Sequence, residues 1–169
     1  IWLNKRDIPE SINFLNKSVK QLLSGKYPIK DFITSKTLAG KYVDREKIPH
    51  VCLADRMALR DPGSAPSINE RVPFVAIDVI EKKGTKLLQG DRIEHPDYIK
   101  ENNLKIDYLF YLKNQIVNPT SQFFSLVLSE LKGYRDDMIP SNITDEKKLQ
   151  DKKIKIAEKL LFEEIIKIE

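Results

Sequence analysis

Pro49-His50-Val51-Cys52-Leu53-Ala54-Asp55-Arg56-Met57-Ala58-Leu59-Arg60, closed by Asp61-Pro62-Gly63-Ser64-Ala65-Pro66, organises the reading of this chain. Pro49 suits the first turn of a helix, where its missing N–H is no loss, and Val51, Ala54 and Met57 or Ala58 then form one buried stripe. The spacing predicts a helix over 49–60, ended by the loop of Pro62, Gly63 and Pro66. Arg56 and Arg60 lie four apart, so they point the same way and off the apolar line.

Upstream, Asp7 stands three residues before Glu10 with Pro9 in the first turn, and Ile12, Leu15, Val19, Leu22 and Leu23 recur at helical spacing before Gly25. This predicts a helix over 8–24. Phe32, Ile33, Thr34 and Thr37 favour β structure without a helical stripe, so 30–38 reads as a strand that Gly40 turns. Downstream, Val72 to Ile80 is the strongest strand, and Lys82-Lys83-Gly84 turns it towards a partner at Thr85 to Leu88, giving a small sheet over 72–88.

Helices are expected to fill 96–131: His95-Pro96-Asp97 opens one, Asp107 caps a second bearing Leu109, Leu112 and Ile116, and Asn118-Pro119 breaks it. Phe123, Phe124, Val127, Leu128 and Leu131 continue helically. Thr144 or Asp145 should cap a last amphipathic helix with Ile154, Ala157, Leu161, Ile165 and Ile168 on one face, and packing onto the rest of the chain is its simplest use. The expected fold class is α+β, mainly helical, with a small antiparallel sheet inserted near the middle.

A length of 169 residues, 41% of them hydrophobic, provides for one domain with a real core. The first residue is Ile and the last helix has no evident stop signal, so a segment of a longer polypeptide is expected. The single Cys52 rules out an intramolecular disulfide and a Cys-only metal site. Nothing resembles a signal peptide or a membrane span, so an intracellular, reducing compartment and no membrane partner are expected. Asn142-Ile143-Thr144 fits the glycosylation sequon but has no secretion signal to support it.

The net charge is +4, and its distribution is uneven. Residues 1–60 carry 12 Lys or Arg against 6 Asp or Glu, residues 61–144 carry 10 against 12, and residues 145–169 carry 7 against 7. The excess therefore lies in the first third, where either a polyanion docks or a basic face is simply solvated.

No catalytic constellation is visible. His50 and His95 lack the carboxylate or serine pattern of a triad and the neighbours of a metal site. Asp136-Asp137 and Glu163-Glu164 are adjacent pairs, whose side chains diverge on a helix. The basic residues are better candidates. Lys36 on an extended segment beside the hydroxyls of Ser35 and Thr37 offers the donors that phosphate and sugar contacts use. Arg60 at a helix end beside a Pro-Gly loop can reach outward, whereas Arg56 serves either DNA contact or pairing with Asp55, Asp61 or a backbone carbonyl. Lys82, Lys83, Lys86 and Arg92 form a second basic cluster, with Gly90 permitting close backbone approach. The aromatic residues Tyr98, Tyr108, Phe110, Tyr111, Phe123 and Phe124 recur at helical spacing, as core residues do.

Five blocks, in order, carry a resemblance: Ile33-Thr34-Ser35-Lys36-Thr37-Leu38; Pro49-His50-Val51 with Ala54, Arg56, Met57 and Arg60; Ala65-Pro66 with Arg71-Val72-Pro73-Phe74-Val75; Gly90-Asp91-Arg92; and Ile106-Asp107-Tyr108 with Tyr111-Leu112, Asn114-Gln115 and Pro119. Together they resemble the thumb of a family B DNA polymerase, most like the delta-type branch, over about residues 32–124. The resemblance implies a thumb subdomain over 1–133, followed by a loop and amphipathic helix over 134–169. It implies a grip on primer–template duplex DNA in which Ser35, Lys36, Arg60, Lys86 and Arg92 touch phosphates, Thr37 and Arg56 are further DNA-binding residues, and Gly90 and Asp91 shape the loop, Gly90 being counted with the DNA-binding set. The palm and fingers of the same polymerase would be further partners, with a processivity factor as a possible one. Catalysis would rest on palm carboxylates holding two Mg2+ ions, outside this segment, which itself carries no cofactor and no catalytic residue. Delta-type enzymes of cells continue into a cysteine-rich tail, whereas this chain has one Cys, so a large-DNA-virus polymerase fits better and the expected location is the nucleus or a cytoplasmic viral replication site. The competing reading is a free-standing basic module that binds nucleic acid or an acidic protein.

Overall fold

The computed structural model describes residues 7–80 and 87–166. In chain order these form helix α1 (Ile8–Leu23), strand β1 (Thr34–Thr37), helix α2 (Pro49–Arg60), strand β2 (Arg71–Ala76), strand β3 (Ile93–Glu94), and helices α3 (Pro96–Glu101), α4 (Tyr108–Tyr111), α5 (Asn118–Phe124) and α6 (Glu146–Ile166). Short 3-10 turns and one π-helical segment, Leu112–Val117, fill several of the gaps. The class is α+β and mainly helical, with one small antiparallel sheet. The chain divides into two compact units, one built from residues 1–24 and 109–169, the other from Gly25–Tyr108.

In the first unit, the carboxylate of Asp7 accepts the Glu10 N–H at 2.8 Å, which satisfies a donor the first turn of α1 would otherwise leave orphaned. Gly25 follows the helix at φ +68°, a left-handed conformation that favours glycine. Ile8, Phe124, Leu128, Leu131, Ile156 and Ala157 form the buried cluster of this unit, with Ile12 and Leu15 packed against it. Asp145 caps α6 by accepting the Lys148 N–H at 2.9 Å. The buried face of α6 is broader than the expected stripe, since Ile156 and Phe162 are buried beside Ala157.

Pro119 does not break its helix. Val117 and Asn118 keep right-handed helical angles into α5. The π-helical segment Leu112–Val117 lies directly upstream, where the carbonyl of Gln115 would otherwise meet the proline ring. Regularity ends later, at Val127, whose φ of −123° and ψ of 34° are not helical. Tyr111 and Phe124 are buried as expected, whereas Phe110 and Phe123 stay 43% and 36% exposed.

In the second unit the sheet runs β1-β2-β3, all antiparallel. Thr34 pairs with Phe74 and Thr37 with Arg71, while Val75 pairs with Glu94 and Ala76 with Ile93. Pro73 sits opposite Ser35, where β2 has a neighbour strand on one side only. The partners of β2 thus differ from the expected hairpin partner: Leu87 and Leu88 are not strand, and Lys82, Lys83, Gly84, Thr85 and Lys86 lie outside the described residues. The strand is also shorter than 72–80: the Ile77 N–H bond to the Arg92 carbonyl is the last towards β3, and the Asp78 N–H turns to the carbonyl of Lys105.

The expected strand over 30–38 is replaced in its first half by a 3-10 turn, Ile29–Phe32. The Asp31 N–H bonds the Pro28 carbonyl, and the turn buries Phe32 edge-on against Tyr108 with ring centres 5.4 Å apart. Helix α2 keeps its expected limits, and Val51, Leu53 and Ala54 pack with Val72 and Ile93 in the core of this unit.

Candidate nucleic-acid interface

Side chains alternate along a strand, so the register divides the β1 candidates between two faces. Lys36 shares its face with Val72, its cross-strand partner, and Ser35 and Thr37 share theirs with Arg71. The expectation that Ser35, Lys36 and Thr37 present one cluster of donors is corrected on this ground. Lys36 and Thr37 are exposed. Ser35 is held by Arg71, whose Nε donates to its hydroxyl at 2.8 Å and whose Nη2 donates to its carbonyl at 3.0 Å.

Arg71 is the basic residue that sequence reasoning passed over. It stood inside a quoted block, and only the register shows that its exposed guanidinium lies opposite Thr37.

Lys36 also borders a small polar cluster. The Tyr42 hydroxyl receives the Ala39 N–H and meets His50 Nε2 at 3.3 Å, tying the loop after β1 to the first turn of α2. Burial lowers the pKa of His50 from its ordinary value, a hydrogen-bonding contribution from Thr37 opposes this, and the positive charge of Lys36 adds to the lowering.

Arg56 and Arg60 turn inward to the sheet. Arg56 Nη1 donates to the Gly90 carbonyl at 2.8 Å and Nη2 to the Ile93 carbonyl at 2.6 Å. Of the pairings open to it in the sequence, the backbone carbonyl is the one formed: Asp55 pairs with Arg45, and the Asp61 carboxylate accepts the Gly63 N–H. Arg60 stays partly exposed, but its guanidinium is engaged with the protein. Its Nη2 donates to Glu94 Oε2 at 2.9 Å, and its guanidinium carbon lies 3.7 Å from the centre of the Tyr98 ring. The hydrogen bond to Glu94 raises the Arg60 pKa further above its already high ordinary value.

Glu94 is only 3% exposed, and its other oxygen accepts the His95 N–H at 3.0 Å. A buried carboxylate needs such partners, since burial of an unpaired charge is strongly unfavourable. The sequence signal for it is a lone acidic residue between Ile93 and a helix-opening His95-Pro96.

Gly90 does permit a close backbone approach, and the neighbour is α2. A Cβ there would lie 2.7 Å from the Cβ of Cys52. Asp91 shapes the same turn by accepting the Leu88 N–H at 2.9 Å. Arg92, half-buried, lies between the two carbonyls that Arg56 holds. Lys86 lies outside the described residues. Among the described residues, no three His, Cys, Asp or Glu side chains gather to hold a metal ion, and no helix is long and apolar enough to cross a membrane.

The family model for DNA polymerase family B matches residues 3–127. A DNA polymerase of Acanthamoeba polyphaga mimivirus is 51% identical over 128 residues, 75% of this chain and 7% of that protein. A DNA polymerase of Pyramimonas orientalis virus is 42% identical over 179 aligned positions, covering 98% of this chain and 15% of that protein. The DNA polymerase delta catalytic subunit of Candida albicans is 35% identical over 130 residues, 77% of this chain and 12% of that protein. The chain thus spans between 7% and 15% of these relatives' lengths. With its five motif blocks inside the matched region, the chain belongs to DNA polymerase family B.

Proposed function

We propose that this chain is the thumb segment of a DNA-directed DNA polymerase, gripping primer–template duplex through its sugar-phosphate backbone and supporting processive replication. The observation that carries the reading is the family match over 3–127, and the exposed Lys36 on β1 gives it a physical basis. Lys36 supplies an ammonium suited to phosphate oxygens, whereas Arg71 lies with Thr37 on the opposite face, its Nε and Nη2 donating to Ser35. Thr37 offers a hydroxyl on that second face, and Arg92 and Lys86 extend the basic set.

In this reading Arg56, Arg60 and Gly90 build the frame behind the contacts. Each phosphate neutralised releases counterions, so binding weakens with salt irrespective of base sequence. The nucleotidyl transfer itself belongs to carboxylates and Mg2+ in the palm of the parent enzyme, and the palm and fingers complete the grip. The site of action would be inside the cell, at a nuclear or cytoplasmic viral replication site. The test is the salt dependence of primer–template binding by the full-length protein and its Lys36→Ala variant. Binding that hardly changes with salt would overturn the reading.

A further inference from the structure

We propose that Glu94 and Tyr98 are positioning residues for DNA binding, acting through Arg60, Arg56 and the backbone of residues 90–93 on Arg92. The inference rests on the proposed duplex grip and goes beyond it by assigning roles to two residues outside its contact set.

The geometry is a chain of contacts. Tyr98 lies under the Arg60 guanidinium at 3.7 Å, a cation–π arrangement that restricts where that group can sit. Arg60 then donates to the buried Glu94 carboxylate at 2.9 Å, and Arg56 approaches the same oxygen at 3.6 Å. Arg56 in turn donates to the carbonyls of Gly90 and Ile93, one on each side of Arg92. A guanidinium can hold two carbonyls at once because its donors form a rigid planar fork. Arg92 cannot shift along the chain direction without breaking one of those bonds. Its own carbonyl is fixed as well, accepting the Ile77 N–H at 2.9 Å.

The two arginines of α2 therefore spend their charge on Glu94, on the half-exposed Asp91 carboxylate 4.0 Å from Arg56, and on peptide dipoles. Of these partners Glu94 is the one that is both ionic and buried, and without it the two arginines lose the anion they share. Tyr98 plays the corresponding part from the other side, as the surface on which Arg60 rests.

The test uses the full-length protein and a primer–template duplex, with dissociation constants measured across a salt series. The variants are Arg92→Ala, Glu94→Gln, Tyr98→Leu and the doubles that join each of the last two to Arg92→Ala. Each single variant is expected to weaken binding by about tenfold, the low end for a charge-assisted hydrogen bond, and to make the log–log salt slope less negative by about 0.9. Each double should bind no more weakly than Arg92→Ala alone. A further loss in a double would overturn the inference, because it would mean that Glu94 or Tyr98 acts through another contact, such as a phosphate held by Arg60 itself. So would wild-type affinity and slope in both Glu94→Gln and Tyr98→Leu. If Glu94→Gln does not fold, by circular dichroism, the Tyr98→Leu pair decides alone. An Arg92→Ala variant with unchanged affinity and slope would instead remove Arg92 from the proposed contact set, and this inference with it.

Discussion

Gly90 lies so close to Cys52 that a Cβ at position 90 would stand 2.7 Å from the Cβ and 2.9 Å from the Sγ of that residue. The Sγ could rotate away, but the Cβ is fixed to the backbone, so the backbone on one side must move. Gly90→Ala should destabilise the fold by about 1–3 kcal/mol, the usual range for overpacking, as read by denaturant midpoint. Cys52→Gly in the same molecule should restore part of the loss, because neighbours in contact couple. Losses that simply add would show that the contact is not the cause.

Arg56 holds two carbonyls and stands near Glu94, so its removal leaves two carbonyls without this donor and a buried carboxylate with one cation fewer. Arg56→Ala is expected to cost about 3 kcal/mol or more of unfolding free energy. Arg56→Lys should recover little, since an ammonium cannot span both carbonyls. Equal stability of the Lys variant and the wild type would contradict the two-carbonyl geometry.

The carboxylate of Asp7 receives the Glu10 N–H at the start of α1. Asp7→Ala should lower stability by about 1 kcal/mol, while Asp7→Ser should lower it less, because serine also caps. Thermal unfolding of the two variants decides this.

His50 supplies a pH dependence whose sign follows from its lowered pKa. Between the folded value and the ordinary value of about 6.5, the unfolded chain binds more proton than the folded one, so stability rises with pH across that window. Below the folded value the full loss is present. His50→Gln should flatten this segment of the stability profile. An NMR titration gives a second check: Lys36→Ala should raise the His50 pKa by removing the nearby positive charge, and an unchanged titration would disprove that coupling.

Local signals carried much of the fold. Pro49 and the turn begun at Asp61 set both ends of α2, and the Asp7 cap with Gly25 set α1. Non-local pairing was less legible. The partners of β2 are Thr34–Thr37 and Ile93–Glu94, and hairpin reasoning looks only at the next turn. Pro119 was misread for a related reason, since a π-helical segment upstream accommodates it and no residue pattern announces one.

For the site, the direction of Arg60 depends on a buried carboxylate 34 positions away, which helix periodicity cannot reveal. Likewise the division of Ser35 and Thr37 from Lys36 needed only strand alternation, whereas the pairing of Ser35 with Arg71 needed the register. The resemblance named the family, but the contacts decide which basic residues are already engaged with the protein.

The central claim is that the chain meets duplex DNA through phosphates, and the most direct test is the logarithmic slope of the primer–template association constant against salt concentration in the full-length protein. Four or five phosphate contacts predict a slope of about −4, and Lys36→Ala should make it less negative by about 0.9 without changing folding stability by more than about 0.5 kcal/mol. A slope near zero, or a Lys36→Ala slope equal to that of the wild type, would contradict the account.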